Sequence, residues 1–376
     1  MGKEREGISV FFRIAAGSFW MGGVNYYRNL FMALGKTSGP RIIPVILCRG
    51  DRASLLRPLV SGDSVCEKRR NWRYLAGYAR ALLCRDFAVS SHCGRYWSRP
   101  SIQWIPDFQH VHLPGMFSER EIKTRDRSFA RIARQADLVL LSSNDALSDL
   151  RAFCPEHASK GRVLHFVSYM PPSVYSETDS MIGTVREKFR LPERYFFLPN
   201  QFWVHKNHML VLEALSILRK GGEKGVKVVC TGNMKDYRNP GYPEKLREFV
   251  RENSLEENVS FLGLVDYKEM LCMMRHSLAL LQPSLFEGWS SSIEEAKSLG
   301  KGCILSDLNV HREQDPARSV YFDPADAGGL AEILGTAYRN LSPGPDHELE
   351  DAARKNMESR MREFGNTYKS YVMELV

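Results

Sequence analysis

The chain has 376 residues, of which 43% are hydrophobic and 26% charged, and it carries a net charge of +8. These values exclude global disorder, and the length exceeds what a single core usually supports, so two domains are expected. Apolar runs are strand-sized, which excludes a transmembrane helix. For the basic series, nucleic acid is the least expected partner.

The first residues begin basic and turn apolar, but Arg13 interrupts them. They read as a cytosolic N-terminus entering the first strand rather than as a signal peptide. Short β-rich runs bounded by Gly, Pro, Asn, Asp or charged turns then alternate with helical patterns. In the first half the expected strands are 8–14, 42–48, 87–90, 101–105, 138–142 and 162–166. In the second half they are 195–198, 226–231, 259–262, 278–282, 303–306 and 320–322. Many are continuous apolar runs, as buried parallel strands are.

Between them, 25–34 and 206–220 carry apolar helical stripes, and 118–136 opens with Ser118 and Glu121 at capping-box spacing. A short helix is expected over 290–299, and a C-terminal helical segment over 349–376, broken near Gly365 and Asn366. This order predicts an α/β protein of two Rossmann-like domains. The adjacent Pro171 and Pro172 mark the boundary. The expected division is 1–172, 173–360, and a helix over 361–376 packing back on the first domain.

The eight cysteines form no C-x-x-C pair and read as reduced, buried thiols, with no metal site expected from them. Basic residues recur from Lys68 to Arg85 and from Arg120 to Arg134. They read as solvated helix surface, or as a field that meets anionic lipid or a lipid-linked acceptor at the membrane face.

The strongest chemical signal runs from Pro283 to Gly300. A strand ends at about Gln282, and a loop with Glu287, Gly288 and Trp289 leads into a helix beginning near Ser290. A helix N-terminus offers unpaired amides to phosphate oxygens, and Gly288 lets backbone approach a ligand. Glu295 lies more than a turn into the helix. The two carboxylates either accept hydrogen bonds from separate sets of sugar hydroxyls or are a helix-dipole partner and a surface residue.

Gly22 and Gly23 follow the first strand and precede a helix, as an ordinary turn does or as a loop passing close to a diphosphate or acceptor. Asp107, His110 and His112 cluster after another strand. If that segment is extended, His110 and His112 share a side. Ser142 and Ser143, His165, Ser168 and Tyr169, residues 237–240 and residues 311–314 form a second rank of polar loop candidates.

The segment containing Glu287 and Glu295 resembles the E-x7-E motif of retaining GT-B glycosyltransferases of family 4. Residues 200–207 resemble the loop after the second domain's first strand, Gly22 and Gly23 the first domain's glycine loop, and Thr231, Gly232 and Gly263 fall where later strands end. The resemblance implies two Rossmann-like domains facing each other across a cleft, acceptor in the first and nucleotide sugar in the second.

It implies that Glu287 contacts the transferred sugar, that Glu295 binds ribose, and that Lys206 neutralises the diphosphate. Gly288, Trp289, Ser290, Thr231 and Gly232 complete the expected donor site. Where the family often has an arginine, this chain has Asn200 and Gln201, so diphosphate binding leans on Lys206 or recruits His205. Asp107 matches an acidic family position, while the family's preceding histidine is Pro106 here, and His110 is the candidate replacement. The resemblance further implies front-face substitution, with the donor phosphate taking the acceptor proton and no metal or other cofactor required. Expected partners are a nucleotide-sugar donor and a glycan, lipid-linked or small-molecule acceptor.

Overall fold

A computed structural model of the chain describes residues 7–14, 21–48, 65–67, 89–90 and 100–376. The basic run from Lys68 to Arg85 and residues 87 and 88 of the expected strand at 87–90 lie outside that set. The chain divides into two compact units. Unit 1 comprises Met1–His110, Ser118–Ser168 and Glu358–Val376, and unit 2 comprises Val111–Phe117 and Tyr169–Met357.

Unit 1 holds two parallel sheets. Strands β1 (Gly7–Ile14), β2 (Arg41–Cys48), β3 (Val65–Glu67) and β4 (Val89–Ser90) pair in the order β3-β2-β1-β4. Strands β5 (Ile102–Ile105), β6 (Leu138–Leu141) and β7 (Gly161–Val163) form the second sheet in sequence order. The short strand β3 was not expected from the sequence. Helix Glu119–Gln135 opens with the predicted capping box of Ser118 and Glu121. It buries Phe129, Ile132 and Ala133 against the core that includes Ile105, Val139 and Leu141. A second, aromatic cluster gathers Phe12, Tyr27 and Phe31 with Tyr368, while Tyr26 stacks on Trp104 at 4.1 Å between ring centroids.

Two expectations in unit 1 need correction. Gly22 and Gly23 do not form a loop: they lie in the first turn of helix Met21–Leu34. First-turn amides have no intrahelical partner in any case, so a helix favoured by its buried Tyr26, Tyr27, Leu30 and Phe31 can begin on glycine. The C-terminal helix His347–Met373 runs unbroken through Gly365. A Cβ there would stand 2.5 Å from the Ala33 carbonyl oxygen and 2.7 Å from Thr37 Cγ2. The glycine is a close-packing residue, and tertiary contact overrides its weak helix propensity.

Unit 2 is built on six parallel strands: β8 (Phe196–Leu198), β9 (Val228–Cys230), β10 (Val259–Phe261), β11 (Leu280–Gln282), β12 (Cys303–Ser306) and β13 (Ser319–Phe322). Their order is β10-β9-β8-β11-β12-β13. Renumbered from the first strand of the unit, this is 3-2-1-4-5-6, the doubly wound Rossmann order. Helix His208–Lys220 buries Leu210, Val211, Leu212, Ala214, Leu215 and Leu218 on the sheet. The strand order reverses between β8 and β11, which are neighbours. In such sheets the loops beyond the carboxyl ends of those two strands part and leave a crevice for ligands.

Among the described residues no helix is long and apolar enough to cross a membrane. Cys154, Cys230, Cys272 and Cys303 are free and buried, and burial pushes each thiol up from its ordinary range.

Candidate functional site

The loops beyond β8 and β11 carry the strongest candidates. After β8 the chain passes Asn200 and enters the short 3₁₀ turn Val204–Lys206, which Asn207 ends in the left-handed region at φ 55°. Asn207 Nδ2 donates to the Pro324 carbonyl, beyond β13, at 3.0 Å, and the Leu285 amide, in the loop after β11, donates to the His205 carbonyl at 2.8 Å. The two loops are therefore stitched together, and Lys206 is held over the second. Its Nζ donates to Glu287 Oε1 at 2.5 Å, with 15% of the lysine side chain and 9% of the glutamate side chain exposed.

Glu287 has further neutral donors. Gln282 Nε2 and Ser284 Oγ each reach Oε1 at 2.7 Å. Burial alone would raise the pKa of this carboxyl, but the Lys206 charge and hydrogen bond outweigh it and hold it down at about 2. Glu287 is thus a fixed, ionised carboxylate at neutral pH.

Glu295 meets different surroundings. It sits in helix Ser291–Leu299 and is 5% exposed. Burial raises its pKa to about 7, tempered by the hydroxyl of Tyr267, which donates to Oε1 at 3.0 Å. Its titration falls at physiological pH, and its ionised form would be a strong acceptor for hydroxyl groups.

Ser290 caps the same helix, its hydroxyl accepting from the Ile293 amide at 3.4 Å. Its own amide is not open to phosphate, because it donates to Gln314 Oε1 at 3.0 Å, while Gln314 Nε2 donates back to the Ser290 carbonyl. That corrects the expectation that this amide waits for an anion. The amides of Ser291 and Ser292 are the ones left for a ligand in the first turn. Gly288 and Trp289 lie in the loop, both half-buried.

Two further expectations are modified. Asn200 is buried, and its Nδ2 donates to Gln282 Oε1 at 2.9 Å, so it braces the site floor instead of presenting an amide. Gln201 is half-buried beside it. His205 cannot supply a second cation: burial, aided by the Lys206 charge, pushes its pKa down to about 3. Thr231 is buried at the end of β9, and Gly232 follows with φ +140°. A Cβ on Gly232 would lie 2.3 Å from the Asn200 carbonyl oxygen and 2.9 Å from the Gln201 amide nitrogen. Glycine is required there because the loop after β9 presses directly on the backbone of the loop after β8.

In unit 1, Asp107 accepts from the Gln109 amide at 3.0 Å and lies 3.6 Å from Arg125. His110 is placed differently from its expected role. Residues Gln109–His112 are helical, so the rings of His110 and His112 diverge by about 200° instead of sharing a side. The His110 side chain is fully buried beside Phe108, Phe129 and Phe153, with Nε2 3.1 Å from Asp126 Oδ1. Burial, with Arg125 nearby, lowers its pKa. It has the surroundings of a core histidine.

Sequence reasoning missed Gln282, Ser284 and Tyr267 as members of the site, and held Gln314 only among the second-rank candidates at 311–314. Gln282 left a trace: it is a polar residue ending the apolar run of β11. Tyr267 left none, since helix Tyr267–Arg275 is reached only through the fold. Among the described residues no group of three His, Cys, Asp or Glu is placed to hold a metal ion.

Comparison with known proteins bears on the fold and on the second unit. Residues 184–356, nearly half of the chain, match the family model of the glycosyl transferases group 1. They contain Lys206, Glu287 and Glu295. The chain is 25% identical over 154 residues to the O-antigen chain mannosyltransferase RfbU of Salmonella typhimurium, covering 41% of this chain and 40% of that protein. It is 24% identical over 134 residues to the capsular polysaccharide biosynthesis glycosyltransferase CapH of Staphylococcus aureus, covering 36% of each. The matched stretches thus span about two fifths of these curated relatives. Over 98% of its length it superposes on Alr3699/HepE of Anabaena, solved in complex with UDP and glucose, covering 100% of that chain with a TM-score of 0.67 and 15% identity. The fold is of the GT-B type, with two α/β Rossmann-like units, and unit 2 is related to the group 1 glycosyl transferases.

Proposed function

We propose that this chain is a retaining glycosyltransferase of family 4 that takes a sugar from a nucleotide-sugar donor held at the ends of β8 and β11. One observation carries the reading. At the topological switch point of the second sheet, a single loop pair presents one cation, Lys206, against one ionised carboxylate, Glu287. Those are the two charges that a nucleoside diphosphate and the hydroxyls of its sugar require.

In this reading Lys206 and the amides of Ser291 and Ser292 stabilise the charge that grows on the diphosphate as the glycosidic bond breaks. Glu287 accepts hydrogen bonds from the transferred sugar, and Glu295 accepts them from the ribose. Thr231, Gly232, Gly288 and Trp289 shape the same pocket. The acceptor hydroxyl approaches the face from which the diphosphate departs, and a phosphate oxygen takes its proton. Residues 173–360 act as the donor domain and residues 1–172 as the acceptor domain. The acceptor is a glycan, lipid-linked or small-molecule hydroxyl. The polysaccharide-building relatives favour a glycan, and basic residues on helix Glu119–Gln135 suit an anionic lipid surface. Asp107 remains the candidate for a unit 1 group acting on the sugar or acceptor.

The test is a thermal-shift screen with UDP, GDP, dTDP and ADP and their common sugar conjugates. Ligands that bind the native state raise its melting temperature. Stabilisation by one nucleotide family, followed by sugar transfer to a supplied glycan acceptor, is the expected result. Stabilisation without transfer to any acceptor would favour a nucleotide-sugar-binding protein lacking catalysis. No shift in a folded sample would reject the donor site.

A further inference from the structure

Resting on that reading, we infer that Gln282 is a positioning residue: it fixes which oxygen of Glu287 meets the sugar and ties that choice to the loop after β8. The hydrogen bonds around Glu287 are one-sided. Lys206 Nζ at 2.5 Å, Gln282 Nε2 at 2.7 Å and Ser284 Oγ at 2.7 Å all converge on Oε1. Among the described residues no donor reaches Oε2. A carboxylate oxygen has two lone-pair sites, so three donors saturate Oε1 and leave the acceptor capacity of Glu287 on Oε2.

Gln282 imposes this asymmetry from a rigid base. It is fully buried at the end of β11. Its Oε1 accepts from Asn200 Nδ2 at 2.9 Å, while its Nε2 donates both to Glu287 and to Ser284 Oγ at 3.1 Å. That pattern locks the amide: rotated by half a turn, its oxygen would face the Glu287 carboxylate and its NH₂ would face the NH₂ of Asn200. The chain of bonds therefore runs from Asn200, beyond β8, through Gln282 to the carboxylate.

The arrangement matters most when a donor binds. Diphosphate oxygens compete for Lys206, and Oε1 then loses part of its cation. The two neutral donors, Gln282 and Ser284, stay on the strand end and its loop. They keep Oε2 turned outward after the lysine has been drawn away. Gln282 touches no substrate in this scheme and acts through Glu287.

The experiment compares Gln282→Met, Glu287→Gln and the double variant in the full chain. The probes are UDP and UDP-glucose, or GDP and GDP-mannose, whichever pair stabilises the wild type, with affinities measured by calorimetry. Methionine keeps the length of the side chain and removes both polar atoms. Gln282→Met is expected to leave nucleoside-diphosphate affinity within about twofold and to weaken nucleotide-sugar affinity about tenfold, the size of one hydrogen bond to a charged group. In the double variant it adds nothing to Glu287→Gln, because the two act as one unit.

Losses that multiply in the double variant, or equal loss of both probes, would overturn the inference. Such a result in a wild type that does bind the sugar conjugate more tightly than the diphosphate would leave the proposed function standing. A wild type that binds neither probe would remove both. If Gln282→Met does not fold, Ser284→Ala, which deletes one donor to the same oxygen, carries the same two outcomes.

Discussion

An acid, an imidazole and a cation meet in both units, and the two meetings differ in what they leave exposed to chemistry. In unit 2, Lys206 and Glu287 stand on loops beyond two strand ends, braced from below by Asn200, Gln282 and Ser284. In unit 1, Asp107 stands in the loop beyond β5, His110 on a short helix, and Arg125 and Asp126 on helix Glu119–Gln135, and the imidazole is absorbed into an aromatic core. Strand ends present charged side chains at the rim of a sheet, where backbone and amide groups can hold them without covering them. Helix faces bring the same residues together but spend them on packing. The contrast supports proposing the donor chemistry for unit 2 and leaves Asp107 as the unit 1 candidate.

Removing Lys206 probes that contrast most strongly. In Lys206→Ala the Glu287 carboxylate keeps its two neutral donors and loses its cation. Breaking one side of a largely buried ion pair costs about 3 kcal/mol, read in urea unfolding. Affinity for the stabilising nucleoside diphosphate should fall at least about tenfold, as loss of a charge-assisted contact implies. A variant with unchanged stability and unchanged diphosphate affinity would show that the pair is ornamental, and unit 2 would lose its claim to the donor. Asp107→Asn is the matched change in unit 1. Its pair with Arg125 is about one-third exposed on each side, and such pairs contribute about 1 kcal/mol or less.

Gly232→Ala tests whether the loops after β8 and β9 are as tightly joined as the site requires. The new Cβ would fall 2.3 Å from the Asn200 carbonyl oxygen and 2.7 Å from its carbon, in a backbone region at φ +140° that L residues rarely adopt. Strain of this kind costs about 1–3 kcal/mol. The displaced Asn200 should carry Gln282 with it, so nucleotide-sugar affinity falls alongside stability. Loss of stability with full retention of sugar recognition would show that the braces under Glu287 are independent of this contact.

How much of this was readable beforehand follows the same division. Strands β11 and β12 are apolar runs ended by polar residues, and Ser118 with Glu121 announces a helix start in four letters. Those are local signals, and they held. The two glutamates were legible because their spacing is fixed along one loop and helix. The partners that give them different chemistry were not, because Tyr267 and Gln282 reach them through side-chain directions that the fold sets and not through spacing. Gly365 and His110 misled for a related reason. Glycine reads as a helix break and His110 as the replacement for the family's histidine, whereas Ala33 and Phe129 decide their roles from elsewhere in the chain. The sequence also cannot state that Oε1 of Glu287 is occupied, which is a property of side-chain directions.

The smallest effect concerns the second glutamate and sharpens the comparison within unit 2 itself. Glu287 and Glu295 belong to one motif, yet one carboxyl is held at about 2 and the other pushed to about 7. Because the folded pKa of Glu295 lies above the ordinary carboxyl value, the folded chain binds more protons than the unfolded chain between roughly pH 4.5 and 7. The contribution to stability is complete below that window and is lost as pH rises through about 7. Between pH 6 and pH 8 the loss amounts to about 1 kcal/mol. Glu295→Gln, neutral at every pH, should lack it, so the stability of the wild type relative to this variant should fall by that amount across the interval in ligand-free urea titrations. Tyr267→Phe removes the hydroxyl that favours the ionised form and should shift the decline to higher pH. A difference between wild type and Glu295→Gln that stays flat from pH 6 to pH 8 would mean that Glu295 is already ionised. The two carboxylates would then be chemically alike, and their separate assignment to ribose and to the transferred sugar would need another basis.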